Sequence, residues 1–285
     1  MSVSLLPLPR ATVERVVALA LEEDLGRGDV TTAACVPRET RGVAELIARE
    51  ALVLAGLAVV HEVYQQVDPS VVVTDLSEDG EKLDRGEIAA RVEGSAASIL
   101  EGERVALNFL QRMSGVATLT RRFVDALPAG AHTRITDTRK TTPGLRALER
   151  YAVRAGGGHN HREDLSAAVL IKDNHIAAAG GLGRAVARAR ANAPHTSRVE
   201  VEVDSFELLD EALAARADII MLDNFDDAAL ARAVTHVAGR ALIEVSGGVT
   251  LERLPRIAAA GPDVVSIGAL THSAPAVDLA LDWRK

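Results

Sequence analysis

The chain has 285 residues, 48% of them hydrophobic and 25% charged, with a formal net charge of -8, enough for one large domain or two ordinary ones with a substantial core. The acidic balance and an aromatic content of 2% exclude a general nucleic-acid binder, which needs a basic stripe with interleaved aromatics, so any polyanion site must be local. No apolar run is long enough to span a bilayer and no basic segment followed by an apolar stretch opens the chain, so no membrane partner and a cytoplasmic address are expected.

Residues 12 to 25, TVERVVALALEEDL, place Val13, Val16, Val17, Ala20 and Leu21 at helical spacing, and Gly26 is suited to end that helix. The lone Cys35 has no partner for a disulfide and cannot form a thiolate cluster for zinc. Residues 42 to 76 mix a β-branched run, VVVTDL, with ALVLAGLAVVHEVY, which reads as strand followed by helix. Glycines 80, 86 and 94 punctuate short alternating runs in GEKLDRGEIAARVEG, as in strands of a small sheet. A long helical pattern over residues 101 to 126 follows.

From residue 133 the texture changes. The runs TRITDT, AAVLIKD, RVEVEVD, ADIIMLDN, ALIEVSGG and DVVSIGA recur with Ala/Arg-rich helical segments between them, the alternation of a parallel βα sheet. Polar residues collect at the C-terminal ends of these runs: Thr138, Arg139 and Lys140, then Lys172, Glu202 with Asp204, Asp223 with Asn224, Ser246 with Gly247 and Gly248, and Gly268. In a closed or nearly closed βα barrel those ends share one mouth, where active sites are built. The tail THSAPAVDLALDWRK follows without a helix of the usual length.

VSGG and SIGA, after the last two runs, offer bare backbone N–H groups where barrels commonly hold a phosphate. No GxxxxGK[ST] occurs, and GGLGRA at 180 to 185 breaks the GxGxxG pattern, so a P-loop is excluded and a dinucleotide fold disfavoured. Glu202 and Asp223 end neighbouring strands, where carboxylates serve as acid and base, oppose a cationic centre, or share a Mg²⁺ carried by a substrate phosphate. The chain has four lysines against 28 arginines, so Lys140 and Lys172 at strand ends point to a need for a compact ammonium. Arg139 and Arg162 add guanidinium forks suited to carboxylates. His159 and His161 in GGGHNHR lack further zinc ligands at recognisable spacing, and no GxSxG elbow supports acyl transfer.

The ordered set EEDLGRGDVTT, LNFLQRMSGVAT, DTRKTTPGLRALERYAVRAGGGHNHR, LIKDNHI, EVEVD, IMLDNF, EVSGG and SIGALTHSAP closely resembles the quinolinate phosphoribosyltransferase family over nearly the whole chain. The resemblance implies an N-terminal α/β sandwich over residues 1–115, a C-terminal open βα (TIM-like) barrel over 116–269 and a tail, 270–285, returning to the first domain. It also implies transfer of phosphoribosyl from 5-phosphoribosyl 1-pyrophosphate to quinolinate with decarboxylation, Mg²⁺ dependence and a homodimer with shared active sites. Arg139, His161, Arg162 and Lys172 match quinolinate-binding positions, with Thr138 beside them and Arg104 of the partner subunit completing the set. Lys140 lies between the two substrates. Glu202 and Asp223 match acidic positions near the ribose and metal, reached directly or through substrate and water, and with Lys140 they are the catalytic candidates. Ser246, Gly247, Gly248, Ile267, Gly268 and Ala269 match phosphate-binding loops.

Three rivals stay open at this level. One is a phosphoribosyltransferase acting on nicotinate or a related acid without decarboxylation. Another is a barrel aldolase forming a Schiff base at Lys172. The third is a non-catalytic binder of phosphorylated ligands.

Overall fold

In the protein's structure, a computed structural model describing residues 5–284, the first helix, α1 (Arg10–Leu25), forms where apolar spacing requires and buries Val13, Val16, Val17 and Leu21. It starts two residues earlier than the pattern predicts, because Pro9 tolerates the helix start and its carbonyl accepts the N–H groups of Thr12 and Val13. Helix α2 (Val30–Cys35) is capped by Asp29, whose side chain accepts the Thr31 and Thr32 N–H groups at 2.9 and 3.0 Å. Strands β1 (Arg41–Ala48) and β2 (Leu52–Val53), helix α3 (Leu57–Val67), strands β3 (Val72–Asp75), β4 (Lys82–Leu83) and β5 (Ile88–Ser95), and the 30-residue helix α4 (Ala96–Asp125) follow. Helix α4 runs unbroken through residues 115 and 116.

Six strands alternate with helices in the second half: β6 (Arg134–Thr136), α5 (Arg146–Ala155), β7 (Val169–Ile171), α6 (Asp173–Ala179), α7 (Leu182–Asn192), β8 (Val199–Val203), α8 (Phe206–Ala214), β9 (Ile219–Asp223), α9 (Asp227–Val237), β10 (Leu242–Ser246), α10 (Leu254–Ala260) and β11 (Val264–Ser266). A four-residue helix, α11 (Ala269–His272), and β12 (Leu279–Trp283) end the described chain.

The chain divides into two compact units. The first takes the residues up to Arg121, Lys140–Gly157 and those from Ala269 onward. Its antiparallel sheet has the order β12-β1-β5-β3. Strand β1 alternates, burying Ala44, Leu46 and Ala48 on one face. Trp283 of β12 lies over Gly42, where an added Cβ would stand 2.0 Å from the indole. Within this unit α5 is tied to α4 by Glu149, 1% exposed in its side chain, which pairs with Arg112 at 2.7 Å and accepts the N–H and hydroxyl of Thr142.

The second unit takes Arg122–Arg139 and Gly158–Gly268. Its six strands form one all-parallel sheet in the order β6-β11-β10-β9-β8-β7, an open βα barrel. Beyond β6 the backbone of His159 adds a parallel bridge to Thr136, with His159 N–H donating to Ile135 O at 2.8 Å. Period-2 alternation sorts the side chains of β8 to β10. Val199, Val201 and Val203, Ile220 and Leu222, and Ile243 and Val245 are buried apolar residues. The residues between them, on the opposite face, include Glu200, Glu202, Asp223, Glu244 and Ser246. No helix among the described residues is long and apolar enough to cross a membrane.

Two helical glycines give a test of this packing. A Cβ at Gly115 of α4 would stand 2.0 Å from the carbonyl oxygen of Pro275, whereas one at Gly183 of α7 meets nothing within 4 Å. Gly115→Ala is expected to cost about 1–3 kcal/mol through overpacking, a fall of roughly 3–10 °C in Tm. Gly183→Ala is expected to stabilise by about 0.5–1 kcal/mol through helix propensity and unfolded-chain entropy. Calorimetry on the two variants checks both signs.

Candidate active site

The chemistry-bearing residues of the second unit gather at the C-terminal ends of its parallel strands. Lys172 follows β7, and its ammonium donates to the Glu202 carboxylate on β8. The Lys172 N–H is held by His175 Nδ1 at 3.0 Å, which fixes the strand-to-helix turn into α6. Asp223 ends β9, adjacent to β8 in the sheet. The next residue, Asn224, adopts φ 58°, a left-handed conformation that asparagine tolerates better than most residues. Its side-chain amide donates to Asp223 Oδ2 at 2.7 Å and its backbone N–H to Ser246 O at 3.2 Å.

The loop after β10 fits against that asparagine. Gly247 has φ 82°, and a Cβ there would lie 2.2 Å from Asn224 Oδ1. Gly248 has φ 60°, so both glycines are needed for their backbone conformation. Arg253 braces the turn from below: it pairs with Asp227 at 2.8 Å and donates to Phe225 O at 2.5 Å, with longer contacts to the Gly247 and Gly248 carbonyls. After β11, Ile267 donates its N–H to Thr136 O at 3.0 Å and is 2% exposed. Bare amides held in a rigid loop are the means by which a backbone takes up phosphate.

The cationic part is built around the segment after the glycine run. Asp137, fully buried, accepts the His161 N–H at 2.7 Å and the Asn160 side-chain amide at 2.6 Å. His161 thereby enters the sheet's polar face, where Nε2 stands 3.4 Å from Glu200 and 3.4 Å from Glu244. Its Nδ1 accepts the Arg162 N–H at 2.7 Å. Burial works against charge on the ring, and the two carboxylates overcome it, pushing it up to about 10. Burial also raises Glu200, with the Glu244 charge adding to the shift.

Arg162 donates from Nη1 to Ala168 O at 3.0 Å. Burial, and next the charge of Arg139, hold its guanidinium below the usual arginine range, opposed by Glu200. Arg139 thus lies within electrostatic reach of Arg162.

Comparison with known proteins agrees with this geometry. The family model described as quinolinate phosphoribosyl transferase, N-terminal domain, matches residues 29–114, and that for the C-terminal domain matches residues 116–282. The chain belongs to the quinolinate phosphoribosyltransferase family. It is 44% identical over 260 residues to a probable carboxylating nicotinate-nucleotide pyrophosphorylase of Bacillus subtilis, covering 91% of this chain and 89% of that protein. It is 45% identical over 281 residues to the carboxylating nicotinate-nucleotide pyrophosphorylase of Mycobacterium leprae, covering 96% of each. The solved nicotinate-nucleotide pyrophosphorylase of Francisella tularensis superposes with a TM-score of 0.92 at 37% identity, covering 100% of both chains.

Of the residues carried over from the family pattern, Thr138, Arg139, His161, Arg162, Lys172, Glu202, Asp223, Ser246, Gly247, Gly248, Ile267 and Gly268 belong to the second unit. Arg104, exposed on α4, and Lys140 and Ala269 belong to the first. The Lys140 carbonyl accepts the Thr271 hydroxyl at 2.7 Å. Sequence reasoning passed over Asp137, Asn160, Glu200 and Glu244. For Glu200 a signal was present, since it shares a strand face with Glu202 in VEVEV.

Among the described residues, three potential metal ligands cluster at His161, Glu200 and Glu244. The imidazole N–H already occupies the space between the carboxylates, so the group reads as an internal ion cluster.

Gly247→Ala is expected to raise the Kd for 5-phosphoribosyl 1-pyrophosphate about tenfold, the scale of enforcing a left-handed backbone on alanine. Quinolinate affinity is expected to move far less. Calorimetric titration of each ligand checks the contrast.

Proposed function

We propose that this protein transfers the 5-phosphoribosyl group of 5-phosphoribosyl 1-pyrophosphate to the ring nitrogen of quinolinate, releasing pyrophosphate and CO₂ and giving nicotinate mononucleotide for de novo NAD synthesis. The observation that carries the reading is the gathering at the strand ends of Lys172 paired with Glu202, of Asp223 ending the adjacent strand, and of Gly247 and Gly248 in left-handed conformations. A pyridine with adjacent carboxylates offers acceptors of the geometry that guanidinium forks such as those of Arg139 and Arg162 recognise.

In this reading Arg139, Arg162 and Lys172 grip quinolinate, with Thr138 beside them and His161, whose ring nitrogens are engaged within the protein, bounding the site, and the loops at 246–248 and 267–269 take the phosphates. Ribosyl transfer breaks the bond from the anomeric carbon to pyrophosphate and forms one to the ring nitrogen. Positive charge grows at the ribose as it does so, and Glu202 and Asp223 oppose it. The ribosylated nitrogen is cationic and stabilises the electron pair left on the adjacent ring carbon when the neighbouring carboxylate departs as CO₂. A proton then enters at that ring carbon. This second step needs orientation and exclusion of water more than acid or base assistance. Lys140, next in the chain to Arg139, provides the cation near the transient carbanion.

Glu202 and Asp223 end adjacent strands and present only oxygen donors, a set that fits Mg²⁺, which relies on one or two carboxylates, water and phosphate oxygens. They would hold the ion directly or through water and substrate, and it would supply neutralisation of the pyrophosphate charge. The Schiff-base alternative is disfavoured by Lys172 itself. Its ammonium is engaged by Glu202, whereas an imine-forming lysine is kept desolvated and away from carboxylates.

The direct test incubates the protein with quinolinate, 5-phosphoribosyl 1-pyrophosphate and Mg²⁺ and follows CO₂ and nicotinate mononucleotide together. Equal yields are expected, and mononucleotide formed from nicotinate without CO₂ would favour the non-decarboxylating rival. Arg162→Ala is expected to weaken quinolinate binding about 10- to 100-fold, the scale of a charged hydrogen-bond pair, and phosphoribosyl pyrophosphate binding much less. Titration of both ligands reads the difference.

A homodimer with shared sites is part of the proposal, with exposed Arg104 serving the neighbouring subunit's site. Mixing Arg104→Ala protein with Lys172→Ala protein is expected to restore activity in hybrid dimers, because one of the two sites then regains both residues. Verified hybrids without any rescue would place each site within one chain.

A further inference from the structure

The floor of the second unit's polar face holds two carboxylates that the mechanism above does not use. Glu200 and Glu244 are each 4% exposed, and Glu200 Oε1 and Glu244 Oε1 have no hydrogen-bond partner among the described residues, so Glu244 meets His161 as an ion pair. Burying one such group is costly unless it serves a purpose, and two lying under a site for a dianion oppose substrate binding on Coulombic grounds alone.

Strand geometry explains how they meet. Glu200 pairs in register with Ile219 of β9, and Glu244 with Met221 of the same strand. The two carboxylates thus reach inward from strands on either side of β9, two residues apart along it. His161 enters between them from the segment bridged to β6. Its ring is held at both nitrogens, by the carboxylates at Nε2 and by the Arg162 N–H at Nδ1, while Asp137 fixes its backbone N–H. Rotation of the ring would break contacts at both edges, and the second of them belongs to the residue carrying the guanidinium fork.

We infer that Glu200 and Glu244 are positioning residues for diacid recognition, clamping the His161 ring and through it the Arg162 backbone, so that the fork meets quinolinate already oriented. The inference rests on the proposed function for its ligand. Its structural half, the clamp on the ring, does not.

The tests are Glu200→Leu, Glu244→Leu and the conservative Glu244→Gln, in the full-length protein. The leucines remove one acceptor while roughly keeping volume, and His161 keeps the other carboxylate as its partner, so no buried charge is stranded. Both are expected to keep Tm within about 2 °C of the parent or above it. Both are expected to raise the quinolinate KM about tenfold with the phosphoribosyl pyrophosphate KM nearly unchanged. Glu244→Gln, which retains an acceptor oxygen, is expected to recover most of the loss.

Histidine ring ¹⁵N shifts supply a reading that needs no substrate. The ring shifts of His161 should differ between the parent and each leucine variant, because one of the two carboxylates facing Nε2 is gone. If the parent turns over quinolinate yet the leucine variants leave both the ring shifts and the quinolinate KM unchanged, the clamp is refuted. It is equally refuted if both KM values rise together with a fall in Tm, since that is a general loss of structure. If the ring responds as expected but the parent neither binds nor consumes quinolinate, the clamp stands and the functional reading fails.

Discussion

One imidazole has to satisfy two buried carboxylates, and the placement of the cationic residues follows from that demand. Alternation along β8 and β10 commits Glu200 and Glu244 to the sheet's polar face. Neither can be left without a partner at 4% exposure. The chain between α5 and β7 must therefore deliver a donor to that place. It does so by adding His159 as a parallel bridge beside β6 and anchoring the next two residues on the buried Asp137. Arg162 is then next in sequence and cannot be elsewhere. The glycines that precede it serve a separate purpose within the first unit, where a Cβ at Gly156 would lie 2.5 Å from the Ala117 carbonyl oxygen.

The loop beyond β10 obeys a different constraint, set by backbone shape. Asn224 and Gly247 are both in left-handed conformations and pack so closely that a methyl group does not fit between them. Arg253 carries no role toward substrate in this scheme, yet its contacts to Asp227 and to the Phe225 carbonyl hold the turn in shape. A phosphate site made of amides loses its value if the amides can reorient, because the cost of ordering them then falls on the binding step. Rigidity bought by side chains behind the loop is consistent with a site whose donors are bare backbone.

The strands of the second unit were legible because each is a short β-rich run ending in polar residues, and parallel strands present those ends on one side. Lys172 stood out from composition, as one of four lysines beside 28 arginines. Glu200 and Glu244 were hidden by their neighbours: in VEVEV and EVSGG the residues nearest the strand end attract attention, and burial depth has no local signature. Asp137 was hidden for the same reason, since its partners lie 23 and 24 residues further on. The pairing of β12 with β1 joins segments more than 230 residues apart, a distance over which periodicity carries no information. The start of α4 at Ala96 was read five residues late because the Ala-Ala-Ser that opens it, directly after β5, carries no apolar period.

The Lys172–Glu202 pair bears on how the proposed site responds to its ligands. Before substrate binds, the ammonium is neutralised within the protein, so the cationic side is not an open cluster that any passing anion would fill. A single weak acid gains little by competing with Glu202 for that lysine. In the proposed function, a diacid that also engages the Arg139 and Arg162 forks would share the lysine, and Glu202 would be freed toward the ribose, where the transfer step requires negative charge. Selection of the diacid and preparation of the carboxylate would then be one event, with discrimination arising from a carboxylate that the correct ligand displaces and a poorer one does not.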